Sequence, residues 1–312
     1  MIVKTRYFNH VEFSNDGISV TKTSDLPSKL IDEIVWYLDL PEELKQYTPH
    51  VQSFSLGKPR AYLTLDYVPG GTLGDSLVEG SRSRQEWSRI LGSLRLVLGS
   101  FAAHTGSLSR LHLYTMYIGK THQRLNTFLL QSEWAREVHK QGYYYLNGRP
   151  VMSPTAILQK GMKELIKLLD NPEIAVMHGD FCLSNLFYSA EGDSVKAIDP
   201  RGRFGIQTIY GDHRYDWAKL RHSLTGYEHI VRGQYQAVIL PGSIELEIKQ
   251  NLDLVWMRNL LDSWMQQDRL RSVRVIEALL FLSMLPLHKE DHARQLALFA
   301  LGTKLLEDIL EG

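Results

Sequence analysis

His178-Gly179-Asp180-Phe181-Cys182-Leu183-Ser184-Asn185 is followed, after a turn, by Ile198-Asp199-Pro200-Arg201-Gly202. Two aspartates and an asparagine thus fall in one short stretch, among the strand candidates Ala175-Val176-Met177, Leu186-Phe187-Tyr188 and Val195-Lys196-Ala197-Ile198. Asp180 and Asn185 across a tight loop, with Asp199 ending the next strand, can converge on one cleft from the base of a hairpin. Phosphoryl transfer asks little covalent chemistry of a protein. It needs a carboxylate to orient the attacking hydroxyl and take its proton, hard oxygen ligands for Mg²⁺, and positive charge on the phosphates. An Asx-rich turn accounts for Asp180 and Asn185 alone but leaves their coincidence with Asp199 unexplained.

Upstream, short alternating segments dominate the first seventy residues. Val11-Glu12-Phe13 and Ile18-Ser19-Val20-Thr21-Lys22 flank Ser14-Asn15-Asp16-Gly17, whose Asp-Gly pair predicts a β-hairpin. Pro27 opens an amphipathic helix with Leu30, Ile31, Ile34, Val35 and Leu38 at helical spacing, ending before Pro41. Gln52 to Leu56 and Ala61 to Val68 read as a second strand pair, and Pro69-Gly70-Gly71 breaks the pattern. A boundary is placed there, giving lobes 1–68 and 69–312. From Arg84 the pattern is largely helical. Trp87, Ile90, Leu91, Leu94 and Leu98 share one stripe, and Ile157, Leu158, Leu165, Leu168 and Leu169 follow the Ser153-Pro154 start signal. Helical runs are expected over 244–265, 270–285 and 290–310, with the 174–198 segment as the one β insertion. Tyr143-Tyr144-Tyr145 fits a half-buried strand or helix-end cluster better than a cation-binding pocket.

Composition narrows the partners. Thirty-five Lys and Arg balance thirty-five Asp and Glu in 312 residues, and 44% of the chain is hydrophobic. That neutral balance lacks the basic footprint of a nucleic-acid binder, so a small molecule is the expected partner. Cys182 is the sole cysteine; it forms no internal disulfide and cannot build a thiolate zinc site, which fits a reducing cytoplasm. The apolar runs 90–103 and 275–287 are interrupted by Arg95 and Glu277 and are too short to span a bilayer. The N-terminus lacks the apolar core of a signal peptide. His104, His112, His122, His139, His222 and His229 show no metal-ligand spacing, and neither a Gly-x-Ser-x-Gly elbow nor a Walker sequence occurs.

His178-x-Asp180-x-x-x-x-Asn185 followed by Ile198-Asp199 resembles the aminoglycoside phosphotransferase and choline kinase superfamily, small-molecule relatives of protein kinases. Lys22 at a strand end, Glu33 on the next helix and Leu65-Asp66-Tyr67-Val68-Pro69-Gly70 as a hinge extend the likeness from Lys22 to about Leu220. The resemblance implies an α+β, bilobal protein-kinase-like fold with a small β-rich N-lobe and a large, mainly helical C-lobe. It implies an ATP-dependent enzyme moving the γ-phosphate to a hydroxyl of a small polar molecule. Asp180 is then the catalytic base, Asn185 and Asp199 the Mg²⁺ ligands, Lys22 the α/β-phosphate contact and Glu33 its orienter. Asp66, Tyr67 and Val68 hold adenine through backbone groups, His178 braces the loop, and Asp216 ties it down. Taken singly, Lys22 also fits a solvated strand end and Glu33 a solvated helix face.

The sequence departs from the pattern in four places. Thr5-Arg6-Tyr7-Phe8-Asn9-His10, where a Gly-rich phosphate lid belongs, has no glycine; Asn9 or Arg6 are the candidate substitutes. Cys182 stands where protein kinases commonly carry lysine, and no Ala-Pro-Glu segment follows Asp199; both argue against a polypeptide acceptor. Cys182 is expected to fill a partly buried loop rather than act as a reactive thiol. Arg201 either holds a substrate carboxylate or phosphate or pairs with Asp212 or Asp216. His288, in Ser283-Met284-Leu285-Pro286-Leu287-His288, is a candidate substrate contact, though an ordinary helix-terminal histidine explains it as well. Asp-Pro-Arg-Gly and this segment look more like bacterial members associated with sugar, capsule or lipid-oligosaccharide metabolism than like drug-resistance enzymes. The alternative function is a non-catalytic kinase-like scaffold that binds a nucleotide or partner.

Overall fold

A computed structural model describes residues 9–57, 61–250 and 254–311. The Asp-Gly turn forms as expected. Gly17 takes φ 70°, a region open to glycine at little cost, and Asp16 Oδ1 accepts hydrogen bonds from the Ser14 hydroxyl at 2.5 Å and the Ile18 N–H at 3.0 Å. The turn joins β1 (Asn9–Phe13) to β2 (Ser19–Ser24). Pro27 sits in the first turn of α1 (Pro27–Asp39), which stops before Pro41 and buries Leu30, Ile34, Trp36 and Tyr37. After α1 come β3 (Val51–Ser55) and β4 (Tyr62–Asp66), completing an antiparallel sheet of order β1-β2-β4-β3. Lys22 lies opposite Leu63 in the centre of that sheet.

The chain leaves β4 through Tyr67, whose N–H donates to the Ile18 carbonyl at 2.8 Å. It enters helices α2 (Leu73–Glu79) and α3 (Arg84–Ala102), each begun by a capping box, Thr72 with Asp75 and Ser83 with Glu86. The predicted stripe of α3 is buried from Trp87 to Leu98. The short α4 (Arg110–Tyr114) continues through a π-helical stretch, Thr115–Gly119, into α5 (Lys120–Gln131), and α6 (Glu133–Gln141) follows. A hairpin of β5 (Tyr143–Leu146) and β6 (Arg149–Met152) precedes α7 (Pro154–Lys160) and α8 (Met162–Lys167), which are separated at Gly161.

The chemistry-bearing segment is folded by short strands, β7 (Ile174–Val176), β8 (Leu186–Ser189), β9 (Ser194–Ala197), β10 (Arg203–Phe204), β11 (Ile206–Gln207) and β12 (Tyr210–Asp212). β7 pairs with β12 and β8 with β9; Asp180 lies in the loop between β7 and β8, Asp199 lies just past β9, and the Ile198 N–H donates to the Asn185 carbonyl at 3.0 Å. Next comes α9 (Arg214–His222), a second π-helical stretch at Ser223–Tyr227, and α10 (Glu228–Val231).

The expectation of helix over 244–265 is corrected here. Its first part is β14 (Ser243–Ile248), paired with β13 (Tyr235–Leu240), and the helix α11 spans only Val255–Asp262. Ile244, Leu246 and Ile248 alternate with Glu245 and Glu247, a period of two, and Pro241-Gly242 supplies the turn with Gly242 at φ 71°. β14 also runs parallel to β5, making a four-stranded sheet β13-β14-β5-β6. The helical lobe therefore carries a second β unit beyond the one expected. Tyr143-Tyr144-Tyr145 is its strand β5, with Tyr144 buried against Phe299 and the flanking tyrosines exposed. The long helices α12 (Gln267–Met284) and α13 (His292–Glu311) pack on one another, and α12 also supports α5 and α9. No helix among the described residues is long and apolar enough to cross a membrane.

His213, at the start of α9, is 2% exposed, and burial, with Arg269 adding, lowers its pKa from 6.5 to about 4. The unfolded chain then binds the extra proton first, so stability falls as pH drops from about 6.5 towards about 4. Urea unfolding should show His213→Phe losing about 2 kcal/mol less than the parent between about pH 7.5 and about pH 5. Equal losses in the two proteins would contradict the assignment.

Candidate active site

The loop after β7 is held from beneath by α9. Asp216, fully buried, accepts the His178 N–H at 2.7 Å and the Gly179 N–H at 2.8 Å, one on each carboxylate oxygen. Burial raises Asp216 to about 7, against the pull of those two N–H groups. His178 is buried on the edges of Trp36 and Phe181, and its Nδ1 accepts the Asp180 N–H at 3.3 Å. Burial lowers its pKa to about 4, so it is a neutral brace. The far side of the loop is fixed by Ser223, which takes the Leu183 N–H at 2.9 Å, and by Glu228, which accepts the Ser184 hydroxyl at 2.5 Å. Arg232 ties Glu228 (2.6 Å) to Asp75 on α2 (2.8 Å).

Two bonds shape the loop itself. The Cys182 N–H and the Asn185 amide both donate to the Asp180 carbonyl, at 2.8 and 2.9 Å. Asn185 thereby spends its donor on the loop, and no hydrogen bond reaches its amide oxygen among the described residues. Cys182 is buried and its thiol is pushed well up by that burial, which suits a packing residue and not a nucleophile.

Asp199 ends the β8–β9 hairpin at φ 58°, an uncommon conformation for a non-glycine residue. Its Oδ1 lies 2.8 Å from Lys22 Nζ, and Lys22 Nζ lies 2.6 Å from Glu33 Oε2. Neither the strand-end reading of Lys22 nor the helix-face reading of Glu33 survives, since their side chains are only 13% and 7% exposed. Burial alone would lower the Lys22 pKa; the two carboxylates reverse that and hold it above the ordinary lysine value. The neighbouring acid on α1, Asp32, grips Arg203 through two bonds of 2.6 and 3.0 Å. Gly202 sits at φ 61°, where a Cβ would overlap the Asp32 carbonyl. Asp199-Pro200-Arg201-Gly202 is therefore clamped against α1 as well as against the Asp180 loop.

The other predicted residues fall as follows. Asp66 accepts from the Gln52 amide at 2.9 Å, and Asp66, Tyr67 and Val68 line a cleft of about 370 Å³ with Phe187, Tyr188 and Lys196 across it. That volume suits a small-molecule pocket, typically ~300–1,000 Å³. Arg201 pairs with neither Asp212, which Arg214 holds at 2.6 Å, nor Asp216; its guanidinium donates to the Tyr215 hydroxyl at 2.9 Å. The acid-pairing alternative for Arg201 is thus corrected, because both acids are committed elsewhere. His288 closes a 3₁₀ turn after α12 with Nδ1 3.7 Å from Glu290, the helix-terminal setting. Arg6 and the Asn9 side chain lie outside the described residues.

Sequence reasoning gave Lys219 no role, yet its ammonium is 2.7 Å from Asp180 Oδ1. It lies one helical turn after Asp216 on α9, and that spacing was the available signal: the helix that anchors the loop through position i points i+3 at the same loop. Burial lowers the Lys219 pKa and Asp180 more than restores it. If Asp180 is a base, Lys219→Met should lower kcat by about 100-fold and move the acid limb of the rate profile to higher pH, because an adjacent cation favours the ionised carboxylate. An unmoved acid limb would show the pair to be purely structural.

Solved structures share this arrangement of lobes. Aminoglycoside phosphotransferase APH(3'')-Id from Streptomyces rimosus ATCC10970 aligns over 88% of this chain and 90% of its own, with a TM-score of 0.54 and 16% identity. A thermostable mutant of aminoglycoside phosphotransferase APH(4)-Ia, in a ternary complex with ADP and hygromycin B, aligns over 100% of this chain and 92% of its own, with a TM-score of 0.58 and 14% identity. The chain has the kinase-like fold of the aminoglycoside phosphotransferases. The α+β bilobal architecture expected from the sequence is thereby met. No family model and no curated protein matches the sequence.

Proposed function

We propose that this aminoglycoside-phosphotransferase-like chain is an ATP-dependent phosphotransferase acting on a hydroxyl of a small polar molecule. The observation that carries the proposal is Lys22, bound at once to Glu33 on α1 and to Asp199, with Asp180 on the adjoining loop. A buried lysine between two carboxylates, with one of them half exposed, is costly to assemble unless the exposed side receives a charged ligand. Solved structures of this fold, with ADP and streptomycin or with ADP and hygromycin B, support the nucleotide and hydroxyl classes.

In this proposal adenine rests against Asp66, Tyr67 and Val68, with the lobes meeting at residues 68–69. Lys22 neutralises the α- and β-phosphates, and Glu33 aims it. Asn185 and Asp199 offer an amide oxygen and a carboxylate, few and hard, which fits a Mg²⁺ that keeps waters and phosphate oxygens among its ligands. Among the described residues no cluster of three or more His, Cys, Asp or Glu builds an all-protein cage. Bound there, Mg²⁺ would supply charge neutralisation at the phosphates. Asp180 orients the acceptor hydroxyl and takes its proton as the oxygen attacks the γ-phosphorus, and ADP leaves. Lys219, 2.7 Å away, holds the Asp180 carboxylate in position. The acceptor class we favour is a sugar, cyclitol or amino-alcohol, as in cell-surface glycan metabolism, in a cytoplasm whose reducing state suits the lone thiol of Cys182.

ADP release in the presence of MgATP and a panel of hydroxylated metabolites tests the reading. Acceptor-dependent release supports it. No release with any acceptor, together with no nucleotide binding, would move a non-catalytic scaffold to the front.

A further inference from the structure

On the helix that carries Lys219, the partner of Asp180, two other elements aim basic groups at one phenol. Tyr215, 2% exposed, lies one turn before Lys219 on the same face of α9. Arg201, two residues after Asp199, donates to its hydroxyl at 2.9 Å and spreads its guanidinium 6.0 Å from the ring centroid. Lys120, the first residue of α5 after the π-helical stretch, places Nζ 3.4 Å from the same hydroxyl and 5.1 Å from the ring centroid. Among the described residues neither Lys120 nor Arg201 forms an ion pair, whereas Lys22 pairs with Glu33 and Asp199, Lys219 with Asp180, Arg214 with Asp212 and Arg203 with Asp32, and nearby Arg124 donates to the Ser283 carbonyl.

Two half-buried cations held on a shared hydroxyl, with no carboxylate between them among the described residues, are an unfavourable arrangement. The crowding shifts the groups themselves. Burial lowers the Lys120 pKa to about 7, and Arg201 adds to the fall. Burial would raise Tyr215, yet Lys120, Arg201 and Lys219 bring it down to about 7. The tyrosine is thus a hydrogen-bonding post between the cations and only a partial substitute for a true anion.

Building on the phosphotransferase reading, we infer that Lys120, Arg201 and Tyr215 form a subsite for an oxyanion of the acceptor, a carboxylate or phosphate carried beside the hydroxyl that Asp180 addresses. Arg201 offers a planar fork suited to two oxygens, Lys120 a point charge, and the Tyr215 hydroxyl a third donor. The acceptor is then a hydroxylated acid or phosphate ester. Cationic acceptors are disfavoured, since their charge would meet Lys120 and Arg201 unscreened.

The test is calorimetric binding in the presence of Mg²⁺ and a saturating non-hydrolysable ATP analogue, which fills the γ-phosphate position. Gluconate and glycerol 3-phosphate are compared with sorbitol, glycerol and choline. Either anionic probe should bind at least about 10-fold more tightly than its neutral counterpart, and whichever binds better tells carboxylate from phosphate. Lys120→Met and Arg201→Gln should each remove that advantage, while retained analogue binding shows the variants to be folded; Lys120→Gln is the substitute should the Met variant misfold. Tighter binding of choline or of the neutral probes overturns the inference, as does an anionic preference that survives both substitutions, and so does the failure of every probe with the analogue bound. These results leave the phosphotransferase reading standing. Failure of the analogue itself to bind removes both.

Discussion

Asp180→Asn should lower kcat by about 10³-fold while the affinity for MgATP changes by less than about threefold. The substitution is nearly isosteric, and the amide can still face Lys219 across the 2.7 Å gap now occupied by the ion pair. The loop is anchored by the His178 and Gly179 N–H groups on Asp216 and by Leu183 and Ser184 on Ser223 and Glu228, none of which involves the Asp180 side chain. Its geometry should therefore persist, and what is lost is the capacity to accept a proton. The measurement is steady-state ADP release with an acceptor that supports turnover, alongside nucleotide binding. Unchanged turnover would take Asp180 out of the chemistry; a parallel collapse of nucleotide affinity would mean that the side chain serves the fold instead.

Asp199→Ala should abolish the part of ATP affinity that depends on Mg²⁺ and lower turnover by about 10³-fold. Two effects combine. The half-exposed carboxylate that would hold the metal is gone, and Lys22 loses one of two partners, although Glu33 at 2.6 Å still positions it. Metal-free ATP binding should consequently survive, because the hinge cleft and Lys22 are intact. The φ of 58° at Asp199 is tolerated worse by alanine than by aspartate, so thermal unfolding of the variant belongs beside the binding curve. Mg²⁺ dependence equal to that of the parent would remove Asp199 from the metal site.

What the sequence revealed and what it hid divide by range. The Ser14 to Gly17 turn, the Pro27 start of α1, the buried stripe of α3 and the loop from His178 to Asn185 each carry their signal within a few residues, and each forms as read. The strand β14 reads as helix in the sequence because its decisive partner, β5, lies far upstream and the apolar run after it outweighs the local alternation of apolar residues and Glu. Arg201 could be assigned no partner from sequence, since that required knowing that Arg214 claims Asp212 and that Asp216 faces the His178 and Gly179 N–H groups. Lys219 and Tyr215 were in plain view beside Asp216. Their importance follows from the docking of α9 beneath the loop, a tertiary fact that no periodicity reports. Asp32 reads as an ordinary helix acid until Gly202 brings the Arg203 segment onto α1.

The central claim is that Lys22, Glu33, Asn185 and Asp199 form one metal-dependent triphosphate site. Calorimetric titration of the full chain with ATP, with and without Mg²⁺ and repeated with Asp199→Ala, tests it most directly. The parent should bind ATP at least about 10-fold more tightly with Mg²⁺ than without, and the variant should show no such gain. ATP binding that is absent, or indifferent to Mg²⁺ in the parent, would contradict the claim.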